Sequence, residues 1–152
     1  IPTEIQRAFI IHQIKKLDKL IQIIIDIANY WNLKLSPYSE YLILPLTLKA
    51  AKNSFMEYPI TIKKNKFFTK NEMVDYLEKN KIETRPVMAG NITQQPVIKY
   101  LKHRKIMPLS NAQYINDNSF LIGIHQEINK KIKEFIINTI IDFINSKVSI
   151  NK

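Results

Sequence analysis

The chain has 152 residues, about the size of one domain, and its 45% hydrophobic and 24% charged residues are typical of a globular protein. The absence of cysteine excludes a disulfide framework, a thiolate metal site and a cysteine nucleophile, and makes the cytoplasm the expected location. A formal net charge of +10 allows a nucleic-acid partner, but the lysines are spread over the whole chain and only three arginines are present, so we expect a solvated basic surface.

The first predicted element is a long amphipathic helix. Residues Thr3 to Gln6 form a capping-box sequence, in which the Thr3 hydroxyl and the Gln6 side chain each satisfy a backbone N–H at a helix start. Apolar residues then recur at alternating spacings of three and four, which predicts one helix over residues 3–31: Ile10, Ile14, Leu17, Ile21, Ile24, Ala28 and Trp31. Further isoleucines lie off this stripe, so we expect the helix to be buried on several sides and to contact a region outside this domain.

An α/β sandwich over residues 53–146 is predicted to follow this helix. Tyr41–Leu48 is an apolar run that Pro45 interrupts, which predicts irregular or edge structure. Three further apolar segments predict strands: Phe55–Ile62, Ile82–Val87 and Phe120–His125.

Three more helices are predicted between and after these strands. A second capping box, Thr69 with Glu72, begins a helix that ends near Asn80. A short helix is expected near 97–102, a loop at 108–111, and a last amphipathic helix from Asn129 onward. The predicted fold class is therefore α/β, with a small antiparallel or mixed sheet of about three strands covered by helices and preceded by the long N-terminal helix.

Motifs of self-contained catalysts are missing from the chain. The only glycines are Gly90 and Gly123, so neither a dinucleotide-binding glycine motif nor a P-loop can be present. The three histidines, His12, His103 and His125, lack the spacing of metal ligands. We therefore predict no catalytic residue and no metal site within this sequence.

One segment, residues 82–96, is hard to explain by packing alone. A predicted strand there leads into a loop that carries Arg85, Gly90 and Asn91. Loops at strand ends commonly meet ligands; arginine offers a fork for a diphosphate, asparagine can bond to sugar hydroxyls, and glycine allows close backbone approach. The alternative is a surface ion pair at Arg85 and a tight turn at Gly90, and the residues alone leave both explanations open.

Three blocks of the sequence resemble the DegT/DnrJ/StrS family of sugar aminotransferases. The first is Thr3-Glu4-Ile5-Gln6-Arg7-Ala8 with Gln13 to Asp18, the second is Ile82 to Pro96, and the third is Asn111 to Ile115 with Phe120 to His125. The blocks lie in family order over nearly the whole chain. Two residues depart from the family pattern: Lys81 stands where glycine is common, and Arg7 where alanine is usual.

The resemblance implies the smaller, C-terminal domain, residues 1–152, of a fold-type I pyridoxal-phosphate (PLP) enzyme. Such an enzyme modifies a keto-deoxysugar linked to a nucleotide, as an aminotransferase or as a 3-dehydrase that uses pyridoxamine phosphate, in lipopolysaccharide or surface-polysaccharide biosynthesis, usually as a homodimer. The family's cofactor residues precede the first helix. Because the sequence starts at Ile1, we expect that it has been cut from a longer protein. We also expect this chain to bind no cofactor and to be inactive alone, and its cofactor-binding residues are unknown.

The same resemblance implies three substrate-binding residues in this chain. Arg85 and Asn91 match the loop that helps to enclose the nucleotide-sugar, and His125 matches a histidine near the mouth of the active site. For His125, a histidine buried in the core and bonded to a carbonyl is an equal alternative.

Two other classes of function remain open at this stage. A non-catalytic basic module would bind nucleic acid or an anionic partner through its lysines. A helical partner-binding domain would use the apolar first helix. No membrane partner is expected, because the apolar runs are much shorter than the roughly 18 residues that a membrane span needs.

Overall fold

The structure is a computed structural model that describes residues 3–106 and 108–150. The chain begins with two helices, α1 (Glu4–Ile14) and α2 (Leu17–Leu35). The predicted single helix over residues 3–31 is therefore wrong in two respects: it is interrupted after Ile14, and its second part ends four residues later than Trp31.

The interruption lies at Lys15 and Lys16. The Lys16 N–H bonds to the Gln13 carbonyl at 3.0 Å, so one turn is tightened to the spacing of a 3-10 helix. Both lysines keep right-handed helical backbone angles. The sequence does not signal this break: lysine is a good helix former, no glycine or proline lies at the site, and the apolar spacing continues from Ile14 to Leu17.

Helix α1 has no buried residue among the residues that the structure describes. Its capping box is present: Thr3 N–H donates to the Gln6 side chain at 2.9 Å and Gln6 N–H donates to the Thr3 hydroxyl at 3.4 Å. None of its residues is buried, however, and Ile5 is 83% exposed and Phe9 65% exposed. The expected burial of this helix on several sides is absent within the described residues.

Four strands form one antiparallel sheet in the order β1-β2-β4-β3. They are β1 (Leu42–Ile43), β2 (Glu57–Ile62), β3 (Thr84–Pro86) and β4 (Ser119–Gly123). Each of the three predicted strands is present in shorter form. The additional edge strand, β1, lies within the segment that was expected to be irregular or edge structure.

The helices that follow are α3 (Lys70–Lys79), α4 (Ser110–Asn118) and α5 (Lys130–Ile150). Short 3-10 turns lie at Ser36–Tyr38, Ile92–Gln94 and Pro96–Tyr100, the last in place of the short helix expected near 97–102. The predicted loop at 108–111 is wrong for its last two residues, because α4 already begins at Ser110. Only Ala112, Tyr114 and Ile115 of the nine residues of α4 are apolar, which is too few to reveal a helix by apolar spacing.

The core lies on one face of the sheet, under α2, α3 and α5. At its centre the ring of Trp31 packs edge-on against Tyr58, with centroids 5.1 Å apart. Trp31 Nε1 donates to the Lys133 carbonyl at 3.2 Å, and the Tyr58 hydroxyl donates to Asn32 Oδ1 at 2.6 Å. Burial raises the pKa of Tyr58 well above its ordinary value.

The expected fold class, α/β with a small antiparallel sheet covered by helices, is confirmed. Within the described ranges, no helix is long and apolar enough to cross a membrane.

A Schellman motif ends α3 and directs the chain into β3. The Ile82 N–H bonds to the Leu77 carbonyl and the Lys81 N–H to the Glu78 carbonyl, both at 3.0 Å. Ile82 and Leu77 are both buried, which adds the apolar contact typical of this motif. Lys81 has a φ of +64°, a left-handed conformation that glycine adopts most readily.

We predict that Lys81→Gly is more stable than Lys81→Ala by about 1 kcal/mol, because only the glycine variant removes the left-handed Cβ cost. Urea denaturation measures the difference. The same pair of substitutions at Lys79, inside α3, is the control, and there alanine should be more stable by about 0.5 kcal/mol. Equal stabilities of the two Lys81 variants would contradict a left-handed residue at this position.

An ion pair connects α3 to α5. Lys147 Nζ lies 2.6 Å from Glu72 Oε1, while Glu72 Oε2 accepts hydrogen bonds from the N–H and hydroxyl of Thr69. The bond from Lys147, followed by those from Thr69, lowers the pKa of Glu72 from 4.5 to about 2. Because the folded state favours the carboxylate, this stabilisation is present above about pH 4.5 and is lost as the pH falls towards 2.

We predict that Glu72→Gln lowers the free energy of unfolding at pH 7 by about 0.5–1 kcal/mol, since the pair is partly exposed to solvent. Glutamine preserves the capping box, so the loss reports the charge pair. The fall in stability between pH 4.5 and 2 should also become shallower. Glu134→Gln, which removes an exposed pair with Lys130 at 3.9 Å, is the control and should change stability by only about 0.3 kcal/mol.

Candidate functional site

Arg85 lies on the edge strand β3, on the sheet face opposite the core. It is in register with Leu121 of β4, which pairs with Pro59 of β2. Its Nε and Nη2 donate to Glu83 Oε1 at 3.1 and 3.0 Å, and Nη1 lies 3.8 Å from Glu57 Oε1. The side chain is 64% exposed. Arg85 therefore forms the surface ion pair that the sequence left open, and any phosphate at this guanidinium would compete with two carboxylates.

The loop after β3 is held against α4 by hydrogen bonds centred on Asn91. Asn91 is only 4% exposed; its Nδ2 donates to Gln113 Oε1 at 3.0 Å. Its Oδ1 accepts from Thr93 N–H at 3.1 Å and from the Thr93 hydroxyl at 2.7 Å. The backbone N–H of Asn91 donates to Asn116 Oδ1 at 3.4 Å. The Asn91 side chain is thus buried and bonded within the protein, where it fixes the loop. Any effect of Asn91 on a bound ligand would therefore be indirect, through the position of the loop.

Gly90 allows this loop to approach α4 closely. It has a φ of +49°, and a Cβ built on it would overlap Oδ1 of Asn116. The left-handed backbone conformation favours glycine here, and any other residue would also force the Asn116 side chain to move.

His125 follows β4 at the opposite end of that strand from α4. Its side chain is exposed, and its Nδ1 accepts the Glu127 N–H at 3.2 Å. A neutral imidazole with Nδ1 as acceptor carries its proton on Nε2, which makes Nε2 a donor. His125 is not the buried structural histidine that was the alternative. It borders an apolar cleft of about 410 Å³ lined in part by Ile128, Ile132 and Phe135.

The three predicted substrate-binding residues line three different clefts of this chain. Arg85 borders a cleft of about 190 Å³, Asn91 one of about 250 Å³, and His125 the apolar cleft. Helix α4, which holds Asn91, ends immediately before β4, and His125 follows that strand, so the five residues of β4 separate these two parts of the chain. The described residues alone do not unite them in one site.

One cleft, of about 270 Å³, is lined by three lysines, Lys63, Lys64 and Lys70, together with Asp117. The ammonium groups of Lys63 and Lys70 bond to the backbone carbonyls of Ser39 and Asn116, at 2.7 and 3.3 Å. A nucleophilic lysine needs a free amine in a dry pocket, and these two amines are held as donors. In the part of the chain that the structure describes, no cluster of histidine, aspartate and glutamate could hold a metal ion.

Sequence reasoning missed Gln113 and Asn116, the residues of α4 that hold the loop, and Asp117, which accepts hydrogen bonds from both. They lie on adjacent turns of one helix, at spacings of three and four residues. The only available signal was the concentration of amides and carboxylates between two segments that match the family pattern. Polar residues at helical spacing are usually solvated, so this signal is weak without the loop that they contact.

We predict that Gly90→Ala lowers the free energy of unfolding by about 1–3 kcal/mol, because alanine meets both a left-handed φ and Asn116. Chemical denaturation measures this change. Gly123→Ala is the matched control: nothing lies within 4 Å of a Cβ at that glycine, so its effect should stay within about 0.5 kcal/mol. Two variants of equal stability would contradict the left-handed conformation of Gly90 and its close contact with Asn116.

Solved structures of a GDP-sugar dehydratase and of an aminotransferase share this fold. The Escherichia coli GDP-4-keto-6-deoxy-D-mannose-3-dehydratase with bound hydrated PLP superposes with a TM-score of 0.74 at 26% identity, covering 86% of this chain and 33% of that one. PseC of Helicobacter pylori, an aminotransferase involved in the biosynthesis of pseudoaminic acid, has a TM-score of 0.76 at 20% identity, covering 90% and 36%. The second likeness concerns the fold alone.

Sequence relatives agree with this likeness. The lipopolysaccharide biosynthesis protein RfbH of Salmonella typhimurium is 26% identical over 141 residues, which are 93% of this chain and 32% of that protein. The GDP-4-keto-6-deoxy-D-mannose 3-dehydratase of Escherichia coli is 28% identical over 126 residues, 82% of this chain and 32% of that protein. This chain thus spans about a third of the length of these relatives. A sequence model of one family matches residues 3–141, which confirms the resemblance: the chain belongs to the DegT/DnrJ/EryC1/StrS aminotransferase family.

Proposed function

We propose that residues 1–152 are the C-terminal small domain of an enzyme that modifies a nucleotide-linked keto-deoxysugar. The reaction is that of a sugar aminotransferase or a 3-dehydrase in lipopolysaccharide or surface-polysaccharide biosynthesis. The main support is the superposition of 86% of this chain on a GDP-4-keto-6-deoxy-D-mannose-3-dehydratase at 26% identity. The relatives named for 3-dehydratase activity favour the dehydrase alternative, and the aminotransferases of the same fold keep the other one open.

Arg85 and His125 are proposed to contact the nucleotide-sugar directly. Both side chains are exposed, and each has chemistry for an anionic or hydroxylated ligand: a guanidinium fork and a donor at Nε2. Asn91 is proposed to act through the loop that it fixes, because its side chain is buried and bonded within the protein. Since these residues line separate clefts, the remaining walls of the site would come from outside this chain.

The cofactor, PLP or pyridoxamine phosphate, is proposed to bind to residues outside this chain. When bound, it supplies the electron sink for chemistry at the sugar carbon next to the keto group. This chain would contribute walls and substrate contacts, and we expect it to bind no cofactor and to have no activity alone.

The exposed apolar surface of α1 is proposed to contact the rest of the same polypeptide. The supporting facts are the exposure of side chains such as Ile5, Phe9 and Ile14 and the length of the relatives, about three times that of this chain. Contiguous apolar patches of this kind are rarely left uncovered on soluble proteins. We further propose that the full-length polypeptide is cytoplasmic and that it is a homodimer. Sedimentation equilibrium tests the oligomeric state.

We predict that the full-length polypeptide containing this chain, supplied with PLP and glutamate, converts a nucleotide-linked 4-keto-6-deoxyhexose. Mass spectrometry then separates the alternatives, because an amino sugar indicates aminotransfer and a 3-deoxy sugar indicates dehydration. Arg85→Ala should raise the KM for the nucleotide-sugar about tenfold through the lost charged contact. Arg7→Ala, which installs the residue usual in the family, is the control and should leave KM unchanged.

The same experiment includes the chain on its own. Incubation of residues 1–152 with PLP followed by borohydride reduction should give no stoichiometric adduct on any single lysine. Such an adduct would contradict a cofactor site outside the chain. A full-length polypeptide without activity on any nucleotide-linked keto-sugar would refute the proposed function itself.

A further inference from the structure

Three polar side chains of α4 form a connected group facing the loop after β3. Asp117 accepts hydrogen bonds from Gln113 Nε2 at 2.8 Å on both of its oxygens, and from Asn116 Nδ2 at 3.0 Å on Oδ1. The spacing of four residues between Gln113 and Asp117 places their side chains on adjacent turns of one helix face. One carboxylate thus binds the NH₂ groups of two amides.

This arrangement decides which end of each amide faces the loop. An ionised carboxylate can only accept hydrogen bonds, so both amides must turn their NH₂ groups to Asp117. Their carbonyl oxygens are then directed to the loop. Gln113 Oε1 accepts from Asn91 Nδ2 at 3.0 Å and from Gln94 Nε2 at 3.1 Å. Asn116 Oδ1 accepts from the backbone N–H of Asn91 at 3.4 Å.

Asn91 of the loop supplies a matching donor because its own side-chain acceptor is already used. Oδ1 of Asn91 is occupied by Thr93, which fixes Nδ2 as the end that faces Gln113. The loop is also closed at its base, where Gln95 Nε2 donates to the Ala89 carbonyl at 3.2 Å. If either amide of α4 were turned over, an NH₂ group would face another donor and at least one bond would be lost.

The charge on Asp117 is supported by its surroundings. Hydrogen bonds from Gln113, then from Asn116, hold the pKa of Asp117 below its ordinary value, and Lys70 of α3 contributes a smaller attraction. Lys63 and Lys64 line the same cleft as Asp117.

We propose that Asp117 is a positioning residue: by orienting the amides of Gln113 and Asn116, it fixes the loop of residues 89–95 in the conformation that binds the nucleotide-sugar. The last part rests on the proposed function. The hydrogen bonds of Asp117 within the described residues go to Gln113 and Asn116 and not to the loop, so it acts through these two amides. A neutral side chain of the same shape would offer an NH₂ of its own and would no longer force one orientation on them.

The test compares Asp117→Asn with Asp75→Asn, an exposed aspartate on α3. Amide hydrogen exchange should become about tenfold faster at Asn91 and Thr93 in Asp117→Asn and should not change in Asp75→Asn. The amide of Ile60 in β2 reports the whole fold and should keep its exchange rate in both variants. Asp117→Glu retains the carboxylate and should restore part of the protection. Unchanged exchange at Asn91 in Asp117→Asn would overturn the proposal.

The functional half is tested in the full-length polypeptide. Asp117→Asn should raise the KM for the nucleotide-sugar about tenfold while kcat changes by less than about twofold, because a mobile loop weakens binding and not the chemical step. Faster loop exchange with an unchanged KM would overturn the link between the loop and the substrate. Failure of the proposed function is a separate result, visible as an inactive wild-type polypeptide, and the exchange experiment would still decide whether Asp117 orients the loop.

Discussion

The pairing of β2 with β4 is the constraint on which the rest of the structure depends. It joins residues 57–61 to residues 119–123, which are about sixty positions apart in the chain, and each of these strands carries a second neighbour. Because side chains alternate along a strand, this one register directs Tyr58, Ile60, Phe120 and Ile122 into the core. It places Arg85 and Glu57 on the opposite face. A slip of one residue would exchange the two sets.

The two ends of β4 carry the two halves of the candidate site. Helix α4 ends immediately before the strand and holds the loop of Asn91, while His125 follows the strand and borders the apolar cleft. This explains why the three predicted residues are close to the same strand and yet do not share a cleft. The nucleotide-sugar that we propose as the ligand is long, so contacts spread over separate clefts would suit it better than contacts confined to one compact pocket.

Much of the fold could be predicted from the sequence because its signals are local. The capping boxes at Thr3 and Thr69 were both found, since a hydroxyl and a side chain three residues apart are sufficient to recognise them. The break at Lys15 and Lys16 could not be predicted, because two lysines favour a helix and the apolar spacing continues on both sides of them. Helix α4 was missed for the opposite reason: its polar side chains face a loop that is distant in sequence. The ion pair of Arg85 depends on Glu57, which only the sheet register brings near.

The exposure of α1 has a thermodynamic consequence. An eleven-residue helix is marginal in water when no tertiary contact supports it, because nucleation is costly and few residues share that cost. The capping box improves its start, but it cannot replace packing. The conformation of α1 and the covering of its apolar surface are therefore linked as a single coupled equilibrium. Binding of α1 to any partner surface must offset the entropy cost of ordering the helix. The association would therefore have a more negative heat-capacity change, and a lower net affinity, than its buried area alone implies.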